Sequence, residues 1–411
     1  MDLDRLKIAY RNSGTNIWLV RATGGKFLEH FRQGGVIAIG HLDDTYDHRT
    51  AVDAAIPSFS EIESMLLRKA EYTNTVEGTK NSARKLNSQG TRKLRQIASF
   101  NEKLKKGDIV VSTDGDALLI GVCGGAAYFS AESIAIEVPV DTDPEYKAPK
   151  MSYRLRRDVI WGPRIPRYNL PSSIKKTLQG QQTIINLQKH WDKFYHLIYP
   201  FFVDENYLYI SNKIASSGAV NNLLIGGLLQ NISLMQLFAR EIEETGTIDL
   251  DSIVRLLNFE VSLGDLSATT KAEFMSPGDL WNRIPLEGFA DKAQGALLCV
   301  ALTLIMAGYA NAEDFNSGPP ATSAKVESVS PDDMVSDIFR SPKKKAIKEG
   351  KAAKSIDQNS KKLNEASRKR NVSKIKASLA LNLPLVDTRT LENFEFGIPA
   401  VKIFEVGVNG K

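Results

Sequence analysis

The sequence predicts an α+β chain in three parts: a small mixed β-barrel, a mainly helical domain, and a basic tail. Three observations predict it. Short apolar runs bounded by glycine and polar turns recur over the first 160 or so residues, as strands do. Longer apolar stretches then run to about residue 310. A segment dense in lysine and arginine follows. With 411 residues the chain has room for two or three domains, and 42% hydrophobic content can build their cores.

The first strands come from residues 17–40. IWLV at 17–20 and VIAIG at 36–40 are compact apolar runs. Gly24 and Gly25 break the chain between them, and Phe27, Leu28 and Phe31 fall at near-helical spacing. Residues 60–106 read as a helical insert. Ser60 and Glu63 have capping-box spacing ahead of Met65 and Leu66, and residues 91–105 place Leu94, Ile97 and Phe100 on one helix face. Residues 107–122 read as a hairpin turning at Asp114, Gly115 and Asp116. Tyr153 to Trp161 alternates basic and apolar residues before a loop rich in proline and arginine. Short strands over about 150 residues suggest a closed barrel, with Ile37, Ile39, Val110 and Ile120 inside.

These residues carry a resemblance. Trp18, Arg21, Gly24-Gly25 and Phe31, followed by Gly35 to Gly40, are similar to EVE-type domains of the PUA-like superfamily. Gly107 to Val111, Ile120-Gly121-Val122 and Tyr153-Arg154 leading to Val159-Ile160-Trp161 agree with it. The segment from Asn169-Leu170-Pro171 to Gln182-Thr183-Ile184 resembles that family's closing helix. The match spans residues 15–185, under half the chain. Such domains occur at the N-terminus of modification-dependent restriction proteins and other bacterial antiviral defence proteins. The resemblance therefore implies a nucleic-acid-recognition domain over 1–185, with DNA favoured over RNA and a modified base as the ligand to test.

Such domains hold a base in a cleft of aromatic and polar groups. Taking a base out of its stack costs a few kcal/mol, which ring stacking and edge hydrogen bonds offset. Here Trp18, His41, Tyr128 and Trp161 are the candidate rings, and Arg21, Asp43 and Asp44 the candidate edge readers. His41 is a departure, because such domains often carry an aromatic directly after the glycine of the second strand. Either tryptophan alone is also what a barrel core needs. Arg154, Arg156, Arg157, Arg164 and Arg167 surround Tyr153, Trp161 and Tyr168, a mixture that suits phosphates and stacked bases. A charged strand edge that blocks aggregation gives the same pattern. The use of arginine alone favours phosphate, for which its planar fork is suited.

Residues 186–315 read as the mainly helical domain, an effector or a surface for a protein partner or a homo-oligomer. It includes a helix near 219–243 and the most apolar stretch of the chain, 295–310. That stretch has about 16 residues where a bilayer needs about 20, so a buried helix packed on the 219–239 helix is expected, not a membrane span. Residues 316–342 read as a linker. Residues 343–411 read as a basic segment ending in a strand that needs a partner edge. Residues 341–376 hold 13 Lys or Arg and three acids, so the rest of the chain carries about −5 against a total of +5. With little apolar content, this segment reads as a solvated helix or as disordered, and its KKK and RKR runs as either a solvated tail or a DNA-binding arm.

Catalytic signals are weak. Lys271-Ala272-Glu273 reverses the order of a metal-nuclease motif, and neither a phosphate-binding loop nor a metal-ligand spacing occurs. No cofactor or metal is expected, and no catalytic residue is identified. Two cysteines far apart and an N-terminus without an apolar signal region fit a reducing, cytoplasmic setting. Two further classes stay open: a membrane-acting effector triggered by the N-terminal domain, and a modification-dependent nuclease with an unrecognised site.

Overall fold

The computed structural model describes residues 6–43, 56–75, 84–137, 149–249, 268–273, 278–310, 312, 352–392 and 397–402. Among these, 13–193 with 387–398 form one compact unit, the inner unit. Residues 6–12, 194–386 and 399–402 contribute to a second, the flanking unit, named for its place in the sequence. The division is therefore not the linear one the sequence suggested. The chain starts in the flanking unit with β1 (Lys7–Tyr10), leaves it, and returns.

The inner unit runs β2 (Ile17–Val20), α1 (Leu28–Gly34), β3 (Val36–Ile39), α2 (Phe59–Leu67), β4 (Thr73–Thr75), β5 (Arg84–Leu86) and α3 (Ser88–Ala98). It continues with β6 (Ile109–Thr113), β7 (Ala117–Cys123), β8 (Tyr128–Phe129), β9 (Leu155–Pro166), α4 (Ser172–Thr177) and β10 (Ile184–Asn186). The main sheet has the order β10-β2-β6-β7-β9-β3, with β8 also on β9. Strands β2 and β6 are parallel and the other pairs antiparallel. The 12-residue β9 carries the curl. Leu155 to Asp158 pair with β3, and Val159 onward pair with β7, where the register slips between Leu119 and Gly121. Such a slip bends a strand. Gly121 makes it sterically feasible, since a Cβ there would lie 2.6 Å from Val159 and 2.7 Å from Trp161.

The strands fall where the sequence placed them, and Ile37, Ile39, Val110 and Ile120 are fully buried. The closed barrel is not what forms among the described residues. Strand β2 has both edges occupied, by β10 and β6, so β3 finds its partner on β9 and the sheet stays a curled half-barrel. Gly35, at φ 61, ends α1 in the left-handed conformation and lets β3 begin at once. The capping box of α2 is Ser58 with Glu61, two residues before the pair read from the sequence.

In the flanking unit, α5 (Trp191–Ile198) leads to β11 (Phe201–Val203), β12 (Tyr207–Ile214), α6 (Asn222–Thr245), β13 (Thr269–Glu273) and β14 (Gly278–Pro285). Then follow α7 (Lys292–Met306), helical residues 352–358, α8 (Ser360–Lys369), α9 (Val372–Leu379), β15 (Leu381–Asn382) and β16 (Ala400–Lys402). The sheet order is β13-β14-β12-β11-β1-β16, with β15 on β12. Leu208, Ile210, Leu280 and Ile284 share a core with α6 and α7. Alternation along the strands turns Phe202, Tyr209 and Trp281 to the other face, where His196 of α5 stacks on Trp281 with centroids 4.8 Å apart.

Two readings of this region change. It is a mixed α/β layer, not a mainly helical domain, because Phe201 to Ile214 fold back as a hairpin after Pro200 and Thr269–Glu273 pairs antiparallel with Gly278–Pro285. The described part of the basic segment is not solvated. Leu363, Ala366, Val372, Ile375 and Leu379 are buried in the flanking core. Arg370 bonds Asn231 Oδ1 (2.9 Å) and Gln230 Oε1 (2.8 Å), and the Lys362 and Lys376 ammoniums donate to the Ile248 and Gly308 carbonyls. The 316–342 linker and the KKK run lie outside the described residues. The terminal strand does find an edge, since β16 pairs antiparallel with β1.

Helix α7 is buried along its length, capped by Asp291, and packs on α6, where Asn231 Nδ2 reaches the Met306 carbonyl at 3.3 Å. Gly295 lets Phe289 of the preceding loop lie against α7, because a Cβ there would meet the Phe289 ring at 2.4 Å. Helix α6 is the one described helix long and apolar enough to cross a bilayer, a test that the core helix of a soluble protein also passes.

Candidate functional site

Helix α3 starts at an Asn87 cap whose side-chain oxygen accepts from Gly90 N at 2.9 Å. Its apolar face, Leu94, Ile97 and Ala98, is buried. Its other face carries Ser88, Thr91, Arg92, Arg95 and Ser99, spaced three or four apart apart from one adjacent pair, and so aligned along the axis. These residues form one wall of a cleft of about 460 Å³, and Gln182 and Ile184 form the other. Among the described lining residues there is no carboxylate.

Gln96 organises the floor. Its Oε1 accepts from Thr183 N at 3.1 Å and from His41 Nε2 at 3.0 Å. A backbone N–H can only donate, which fixes the amide oxygen toward Thr183 and makes His41 the second donor. The Gln96 NH₂ is thereby left to the cleft. Two exposed guanidiniums and this amide give a donor-rich concavity, which suits an acceptor-rich ligand such as a phosphodiester with a base edge.

The wall beside the cleft is held by Arg21. Its guanidinium donates to the carbonyls of Leu178 (2.5 Å) and Gly180, fixing the turn that leads to Gln182. Burial, and then the nearby charge of Arg167, lower the Arg21 pKa from its ordinary value.

The other residues read from the sequence have separate partners. Trp18 is 4% exposed and donates from Nε1 to Asp108 Oδ2 at 2.9 Å, so its ring is core. Arg156 is as buried, and bonds the Tyr153 carbonyl (2.8 Å), Ser130 Oγ (3.1 Å) and the Glu132 carbonyl. Arg157 likewise ties down the carbonyls of Phe100, Asn101 and Gly125. Trp161, half-buried, donates to the Phe31 carbonyl at 2.6 Å. The Tyr128 hydroxyl donates to Asp158 at 2.8 Å, and burial, with Asp158 adding to it, pushes its pKa up to about 12.

Tyr153 bonds Thr23 at 2.7 Å and meets Phe27 edge-on, and Asp43 Oδ1 accepts from Arg154 N at 3.3 Å. Arg164 is exposed, 3.8 Å from Asp114. Of the proposed base-reading set, His41 and Arg21 adjoin the cleft. Tyr128, Trp18 and Trp161 are held by partners of their own, and Asp44 lies outside the described residues.

Arg92, Arg95, Gln96 and Gln182 were missed by sequence reasoning. The signal was present, because the apolar stripe of α3 implies a polar stripe opposite, but only the buried side was read. Among the described residues no cluster of three or more His, Cys, Asp or Glu could hold a metal ion. No protein-family model, curated protein or solved structure matches the chain.

Proposed function

We propose that the inner unit binds nucleic acid through the α3 cleft, and that it is an EVE/PUA-like module of a defence-type protein. The observation that carries this is the pair of exposed guanidiniums, Arg92 and Arg95, in a carboxylate-free concavity of about 460 Å³ whose other polar lining is hydroxyl and amide. Such a lining, rich in cationic donors, suits phosphate and base acceptors. The ordered motifs of residues 15–185 support the same reading. Two free, buried thiols, Cys123 and Cys299, are compatible with a reducing cytoplasm. DNA is favoured over RNA, and the helices of the flanking unit are candidates for binding a protein partner or a second copy.

The test is fluorescence anisotropy of the full chain with modified and unmodified DNA and RNA oligonucleotides. The R92A/R95A double variant should weaken binding about tenfold or more, since each charged hydrogen bond to phosphate is worth about 1–3 kcal/mol. Wild-type affinity should fall steeply with salt as counterions are released. Unchanged affinity in the double variant would remove the cleft from the account.

A further inference from the structure

A second surface of the inner unit combines an exposed aromatic ring with nearby cations. Tyr168 is 81% exposed, in a one-turn 3-10 element, Arg167–Asn169, directly after β9. A ring so exposed contributes nothing to a core. Its flanks are cationic. Arg164, with 54% of its side chain exposed, lies 3.8 Å from an Asp114 carboxylate oxygen, and Arg167 donates to the Asp114 carbonyl at 3.3 Å. Both guanidiniums thus converge on the β6–β7 turn, and Arg167 directly precedes Tyr168 in the chain. Arg21 is close enough to Arg167 for their charges to interact, and Lys175 and Lys176 follow on α4. Asp114 and Asp116 are the acids of that turn, so cations outnumber them.

We infer that Tyr168 is a stacking platform for single-stranded nucleic acid, with the adjoining phosphates on Arg164 and Arg167. The inference rests on the nucleic-acid reading of the α3 cleft and adds the class of strand. In a duplex each base already has neighbours on both faces, so an exposed phenol ring gains little from it. An unpaired base offers a free π-face, and flanking guanidiniums neutralise its phosphates. The route from platform to cleft is short along the chain: α4, then the turn that Arg21 holds at Leu178 and Gly180, then Gln182 in the cleft wall.

The test uses the full chain and one DNA sequence presented as single strand and as duplex, with 2-aminopurine in the single strand. Wild type should prefer the single strand and quench the 2-aminopurine fluorescence. Tyr168→Ala should weaken single-strand binding about tenfold and abolish the quench, with duplex affinity unchanged, while Tyr168→Trp retains both. The exposed position makes either variant safe for folding. Single-strand affinity and quenching unaltered in Tyr168→Ala would overturn the platform, and if R92A/R95A still lost affinity the cleft reading would stand. Absence of binding to any oligonucleotide would overturn both.

Discussion

Trp18 and Arg156 have the ring and charge that suit a ligand, yet both face inward. What decides it is the partner. Trp18 Nε1 meets Asp108, 90 residues away, and that carboxylate also accepts the backbone N–H groups of Asn16 and Lys105 at 2.9 Å. Residue type is legible in a sequence; a partner at that separation is not. His41 was read as a stacking ring, and in the structure its Nε2 bonds the Gln96 amide oxygen.

The same scale gives a pH prediction for His196. Burial, with the charge of Lys271 adding to it, holds its pKa well below the ordinary value. Ser211 Oγ donates to the Tyr199 carbonyl at 2.7 Å, so the His196 Nδ1–H donates to Ser211, at 2.8 Å, from a neutral ring. In the unfolded chain this imidazole takes up a proton near pH 6.5. Below that pH the unfolded state binds more protons, so stability falls as pH falls, by up to about 1.4 kcal/mol per pH unit until the folded-state pKa is reached. Urea midpoints at pH 7.5 and pH 5, followed by tryptophan fluorescence, should drop less in His196→Phe than in wild type. Equal drops would place the acid sensitivity elsewhere.

At the scale of elements, the inner strands were legible because their apolar runs are short, dense and bounded by glycine or aspartate turns. The curl and the open edge were not, since both depend on which strand occupies each edge of β2. The burial of α8 and α9 was missed for a different reason. Net charge averaged over the window hid Leu363 and Ala366, then Val372, Ile375 and Leu379, whose spacings of three and four are those of a buried helix face. Lys362 and Lys376 of these helices donate to the Ile248 and Gly308 carbonyls. Leu363 is fully buried, so Leu363→Asp should destabilise the protein by about 3 kcal/mol or more in urea unfolding. Exposed Lys361→Ala should stay within about 0.5 kcal/mol of wild type. A solvated tail would tolerate both equally, and that result would refute the packing described here.

For the whole molecule, the linear division failed because the flanking sheet is assembled from distant pieces. Strand β1 pairs in parallel with β11, Ile8 against Phe201, and antiparallel with β16, Ile8 against Val401. A strand of four residues at the start of a chain gives no sign of partners so far off. Charge was read correctly in amount, but part of the described basic segment is packed rather than solvated. The basic helices of the flanking unit are partly committed to its own carbonyls and amides, whereas Arg92, Arg95, Arg164 and Lys176 of the inner unit are exposed. Nucleic-acid contact should therefore map to the inner unit. Ultraviolet crosslinking of the full chain to a single-stranded oligonucleotide, with the adducts located by mass spectrometry, tests this most directly. Adducts should concentrate in peptides covering residues 88–99 and 164–182, Tyr168 among them. Adducts confined to residues 194–386, with those two peptides unmodified, would contradict the account.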